Sequence, residues 1–201
     1  MEHFYKDIYG FADYLGIYRK AVKMFPSGSH FVEVGSFLGK SAAFMAVEII
    51  NSGKNIKFDC VDHWLGSDEH RNNPVVATEL ENREIKLEEL FETFMRNTEP
   101  VKGVINPVRA SSIIASKMYE PNSLDFIFID ASHDEMSVKH DLTYWMPRLK
   151  ENGMIAGDDA DNEGVANAVK WFFDTGKLEI IGRQWLLAQT LPRMAQLHLR
   201  K

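Results

Sequence analysis

Five short runs along the chain are apolar and rich in β-formers, and each closes on a polar residue or a glycine: "FVEVG" (31–35), "FDCVD" (58–62), "GVINPV" (103–108), "FIFID" (126–130) and "MIAGD" (154–158). Their hydrophobicity is near-continuous rather than alternating, which is the mark of strands buried on both faces, as in a parallel sheet. Helical patterns over 40–51, 85–96, 112–118, 136–145 and 164–173 separate the runs. This alternation predicts an open α/β sheet with right-handed crossovers. Near the end of the chain the rhythm changes. The strand-like runs 178–181 and 185–189 lie too close for a parallel crossover and fit a hairpin. The expected sheet is therefore mostly parallel, with one antiparallel strand near an edge.

Two segments stand outside the pattern. The connection 63–102 is longer than a crossover needs, and its first part, "HWLGSDEHRNNPVV", is polar and turn-rich, as functional loops at a sheet edge are. The first 25 residues form one or two amphipathic helices and lack the basic start and short apolar core of a secretory signal. Their apolar face suits a homodimer as well as a core. No window approaches a membrane span.

With 201 residues, 45% hydrophobic and 26% charged, the chain can bury a full core as one domain with small additions. A net charge of −6 argues against a nucleic-acid partner, which calls for a basic face. Cys60 is the single cysteine, so disulfides and a cysteine zinc site are excluded, and a small buried hydrophobe is its expected role. A reducing, cytoplasmic setting is the expectation.

The candidate chemistry begins in "FVEVGSFLGKS". Ligands of open α/β sheets bind beyond the carboxyl ends of the strands, where glycines let them approach backbone amides at a helix N-terminus. Gly35 and Gly39 suit that use, in the spacing G-x-x-x-G rather than the G-x-G-x-x-G of dinucleotide folds. Glu33 inside the strand costs desolvation unless loop amides or a cationic ligand satisfy it. Asp62 ends the second strand, where an acid can accept both hydrogen bonds of a ribose diol or, more simply, cap a turn.

The stretches "EVGSFLGKS", "VDHW" and "SLDFIFIDASHDEMSVKHDLTYWMPRLKENGMIAGDD" together resemble class I S-adenosylmethionine-dependent methyltransferases. Within them the chain is similar to small-molecule O-methyltransferases related to macrocin methyltransferases and the cephalosporin-hydroxylase group. The resemblance runs from about residue 31 to 173. It implies a Rossmann-like, doubly wound seven-stranded sheet in the order 3-2-1-4-5-7-6, with strand 7 antiparallel. The expected organisation is a helical cap over 1–30, a methyltransferase domain over 31–190 with an acceptor-side insertion at 66–97, and a tail over 191–201, the cap and the tail carrying no signature of the family.

The same resemblance implies S-adenosylmethionine as cofactor. Glu33, Gly35 and the turn Ser36, Phe37, Gly39, Lys40 and Ser41 would face its methionine end, and Asp62 its ribose. His63 or Trp64 would lie beside the adenine, Trp64 serving equally well as a core aromatic. Ser111 and Ser112 would lie at the adenine edge, although both also suit a helix start.

In the implied strand order Asp130, Asp158 and Asp159 end neighbouring strands. Three carboxylates so close call for a cation, and an oxygen-rich set suits magnesium or another hard divalent ion. The competing reading has Asp130 facing the cofactor's amino group and "GDDADNEG" capping the next helix. His133, three residues after Asp130, is the candidate base for a hydroxyl acceptor, or else orders its own loop. Some metal-using relatives carry an aspartate base where this chain has Ser132. The expected activity is methyl transfer to a small-molecule hydroxyl; metal-free N-methylation and a catalytically silent cofactor binder are the alternatives.

Overall fold

The computed structural model describes residues 1–67, 71–173 and 178–188. Its seven strands are β1 (His30–Val34), β2 (Lys57–Asp62), β3 (Ile105–Arg109), β4 (Leu124–Ile129), β5 (Leu149–Gly157), β6 (Glu179–Ile181) and β7 (Gln184–Ala188). They form one sheet in the order β3-β2-β1-β4-β5-β7-β6. The first five run parallel, and β7 is antiparallel to both β5 and β6. This is the order and the reversed strand that the motifs implied. Of the run 185–189, its last residue lies outside the described residues, as does the tail 191–201.

The continuous apolar runs are explained by two cores, one on each face. Phe31, Phe126 and Phe128 point to a layer built with α1 (Leu15–Met24) and α2 (Lys40–Ser52). Val32, Val34, Ile127 and Ile129 point to the opposite layer, with α6 (Glu135–Trp145) and α7 (Glu163–Phe172). Residues two apart on a strand share a face, so Glu33 is aimed into the aromatic layer of Phe31. Cys60 is fully buried in that layer.

The long connection departs from its expected single helix over 85–96. It holds α3 (Pro74–Asn82) and α4 (Leu90–Thr98), separated by Glu84 at φ +55° and a 3-10 turn, Leu87–Glu89. Asn73 starts α3 by accepting the N–H groups of Val75 and Val76, with Pro74 in the first turn, where its missing N–H costs nothing. A further helix, α5 (Ser112–Ser116), follows β3. Among the described residues no helix is long and apolar enough to cross a membrane.

Candidate active site

A cavity of about 310 Å³ opens beyond the carboxyl ends of β1, β2 and β4. Gly35, Ser36, Phe37, Lys40 and Ser41 line it from the turn after β1. Asp62 and His63 line it from the end of β2, Ser111 and Ser112 from the start of α5, and Asp130 and His133 from the loop after β4. Glu33, Gly39 and Trp64, also expected at the cofactor, do not line it.

Local packing accounts for each of these placements. Gly35 has φ +94°, and a Cβ there would fall onto the backbone carbonyl of Asp130, so only glycine lets β1 and β4 end this close together. Gly39, φ +87°, precedes α2, and a Cβ on it would stand 2.7 Å from Thr98 Cγ2. Its freedom therefore serves the contact with α4. Trp64 is 1% exposed, with ring centroids 5.0 Å from Phe91 and 4.7 Å from Phe94. It packs as a core aromatic.

Asp62 organises the turn. Its Oδ2 accepts the Phe37 N–H at 2.9 Å and its Oδ1 the Trp64 N–H at 2.7 Å, while the Trp64 indole N–H donates to the Phe37 carbonyl at 2.7 Å. Phe37 and Trp64 have φ +43° and +49°, a region bulky residues enter only when their surroundings hold them there. Each oxygen of Asp62 keeps acceptor capacity in the cavity wall.

Beneath the turn Glu33 is fully buried, and burial is the main cause that pushes its carboxyl up to about 8. The Ser41 hydroxyl, donating to Glu33 Oε1 at 2.5 Å, pulls the other way, and the charge of Asp130 adds to the rise. Tyr14, from the segment leading into α1, donates its hydroxyl to Asp130 Oδ2 at 2.9 Å, and its ring lies 4.4 Å from that of Phe128. At the far end Ser111 is the N-cap residue of α5 but makes no side-chain cap bond. Ser112 donates to Asp141, which is 4% exposed, and accepts the Trp145 indole N–H at 2.8 Å. Burial pushes the Asp141 carboxyl up to about 6, against the pull of Ser112.

The acidic cluster assembles differently from the expected aspartate trio. Asp130, His133 and Asp159 each offer a ligand atom within 4.8 Å of the others. His133 Nε2 is 2.9 Å from Asp159 Oδ2 and 3.7 Å from Asp130 Oδ1. Asp158 is not part of that group: its Oδ1 accepts from the Gln184 amide at 3.0 Å, and burial pushes its carboxyl up to about 7. Burial also disfavours charge on Asp159, but His133 and Arg183 outweigh it and hold the carboxyl below its ordinary value. Arg183, in the β6–β7 turn, donates from Nη2 to Asp159 Oδ1 and from Nε to Asp161 Oδ1 at 3.2 Å, and its Nη1 is 3.6 Å from Asp13 Oδ2. Two carboxylate oxygens and an imidazole nitrogen are a donor set that divalent ions take. Here, however, the second oxygen of Asp159 carries a guanidinium and Asp158 is bound to an amide, so the group gathered at one point is Asp130, His133 and Asp159.

Sequence reasoning passed over Tyr14, Asp141 and Arg183. The tyrosines of the N-terminal helix read as core or interface, and Tyr14 is indeed buried, yet its hydroxyl reaches Asp130 across 116 positions. Asp141 sits in a helical run, and Arg183 in a two-residue turn. A buried acid on a helix face and a cation in a hairpin beside paired aspartates were the only available signals.

A family profile described as a methyltransferase domain matches residues 32–160, and the chain belongs to that family. No curated protein matches the chain by sequence. Among solved structures, the O-methyltransferase NovP is similar at 18% identity and a TM-score of 0.59, over 88% of this chain and 79% of that one. A SAM-dependent O-methyltransferase from Thermotoga maritima is similar at 11% identity and a TM-score of 0.60, over 92% and 68%. A Corynebacterium glutamicum protein is similar at 11% identity and a TM-score of 0.59, over 93% and 85%. At such identities these likenesses speak for the fold. The family makes the chain a methyltransferase, and the fold it shares with these structures is that of the class I, S-adenosylmethionine-dependent enzymes.

Proposed function

We propose that the protein methylates a hydroxyl of a small molecule. The observation that carries this reading is the His133–Asp159 pair at 2.9 Å, with His133 in the wall of the cavity that also holds Asp62 and Asp130. Two of the structural neighbours are O-methyltransferases by name. A net charge of −6 favours a small acceptor over a nucleic acid.

In this reading the free acceptor capacity of Asp62 takes the ribose hydroxyls. The turn from Gly35 to Ser41 takes the methionine end, with Tyr14 and Asp130 beside it. His63, Ser111 and Ser112 flank the adenine, and Asp141 backs Ser112. Tyr9 and Phe11 from the N-terminal segment, with Ser67 and Val76 from the long connection, bound the acceptor's side of the cavity. The cofactor, when bound, supplies an electrophilic methyl on its sulfonium.

What the chain must supply is alignment and a place for the acceptor's proton. Alignment alone can account for a large share of the barrier reduction. His133 takes the proton, and Asp159 orients the ring and stabilises the imidazolium so formed. Calorimetry with S-adenosylhomocysteine, followed by mass spectrometry of a panel of phenols, sugars and amines, tests the reading. Binding, and a methyl gained on oxygen, are expected. No heat from folded protein, or methylation confined to amines, overturns it.

A further inference from the structure

The β6–β7 turn is docked onto the turn after β5 by three contacts. The Ala160 N–H donates to the Arg183 carbonyl at 2.5 Å, the Gln184 amide donates to Asp158 at 3.0 Å, and the Arg183 guanidinium reaches Asp159. Gly182, at φ +63°, makes the tight reversal that presents Arg183. The guanidinium is thereby set among carboxylates from two parts of the chain: Asp159 and Asp161 after β5, and Asp13 beside Tyr14. Each of its three nitrogens faces a different carboxylate, a use of the planar fork that a lysine ammonium cannot copy.

We propose that Arg183 is the resident cation of this acidic cluster, standing in for a divalent ion, and that the site transfers methyl groups without a metal. The proposal rests on the reading of the cavity as a methyl-transfer site. An ion held by Asp130, His133 and Asp159 would sit on one oxygen of a carboxylate whose other oxygen already carries a positive group. Such like-charge juxtaposition disfavours the ion. Asp158, needed for a three-carboxylate site, is turned to Gln184 instead. Arg183 acts through Asp159: it holds the carboxylate that holds His133, so it is a positioning residue.

The test is a Mn2+ titration of the chelator-treated full chain, followed by calorimetry and by the electron paramagnetic resonance of the bound ion. Wild type, Arg183→Met and Arg183→Lys are compared, each also titrated with S-adenosylhomocysteine to verify an intact cofactor site. Arg183→Met is expected to bind Mn2+ at least about tenfold more tightly than wild type, with Arg183→Lys in between, because removing the like charge frees Asp159 for the ion. Methyl transfer by wild type is expected to be unchanged by EDTA. A Mn2+ site in wild type as tight as that of Arg183→Met, or activity abolished by EDTA and restored by Mn2+, overturns the proposal. If Arg183→Met does not fold, wild type and Arg183→Lys decide it through the same titration and the EDTA arm. Absence of S-adenosylhomocysteine binding in every variant counts against the methyl-transfer reading, whereas the Mn2+ comparison still decides the role of Arg183.

Discussion

The Tyr14 hydroxyl donates to Asp130 Oδ2 at 2.9 Å, tying the N-terminal segment to the end of the fourth strand. The bond fixes Asp130 in the cavity wall, one residue beyond the strand that meets Gly35. Burial pushes the Tyr14 hydroxyl well above its ordinary pKa, so it stays a donor across the working range. Tyr14→Phe keeps the ring against Phe128 and removes only that donor. A bond to a charged acceptor is worth about 1.5–3 kcal/mol, so turnover is expected to fall on the order of tenfold or more. Steady-state kinetics beside a melting curve check this; unchanged turnover would separate Tyr14 from the site.

Asp62 carries two duties, holding the turn and meeting the cofactor. Asp62→Ala removes the acceptor of the Phe37 and Trp64 N–H groups together with the proposed ribose partner, and S-adenosylhomocysteine affinity is expected to fall on the order of 100-fold. Asp62→Asn, keeping one oxygen, should fall between. Calorimetry gives both numbers, and equal affinities in all three proteins contradict the ribose assignment.

Glu33 predicts a pH-dependent stability. Its carboxyl titrates at about 8 in the folded chain and ordinarily at 4.5. The folded state thus keeps a proton that the unfolded chain has released. Its contribution is fully present below about pH 4.5 and is lost progressively as pH rises through 8. Glu33→Gln lacks this loss and should be more stable than wild type at pH 9 by a few kcal/mol, with little difference at pH 5. Urea unfolding at pH 5, 7 and 9 decides it: parallel curves rule the idea out.

Gly35→Ala combines a positive φ with a Cβ placed on the Asp130 carbonyl. Loss of at least about 3 kcal/mol is expected, since backbone on both sides must move. Chemical denaturation measures it, and a loss under about 1 kcal/mol contradicts the close approach. Gly53→Ala is the control, because its φ is also positive while nothing lies within 4 Å of the added Cβ.

His133→Gln is expected to lower turnover on the order of 100-fold or more, the size of a lost general base. S-adenosylhomocysteine affinity should change little. A parallel fall in both would make His133 a binding residue instead.

Much of the fold was legible because burial on both faces leaves a local trace. Runs such as "FIFID" are apolar at every position up to the closing acid, and the short gap between the last two strands allows only a hairpin. The long connection was less legible. Asn73 and Pro74 start a helix where polarity suggested a turn, and the 3-10 turn Leu87–Glu89 takes up the first part of the run read as one helix over 85–96. Gly39 was legible as a special residue but not in its use, and Trp64 was legible in two uses without a choice between them. A tryptophan after an acid and a glycine in a turn read alike whether they meet a ligand or α4.

The order of apolar runs, the glycine that lets two strand ends meet and the acids that finish strands are properties of neighbouring residues, and the chain by itself determined them. Which acids share a cation was decided by the tertiary structure alone. Arg183 lies 24 positions from Asp159 and Tyr14 lies 116 from Asp130. Each pair meets because the sheet brings a late hairpin and the N-terminal segment to the ends of neighbouring strands. Charge acts across space at a few ångströms, and spacing along the sequence does not record which side chains the fold will bring that close.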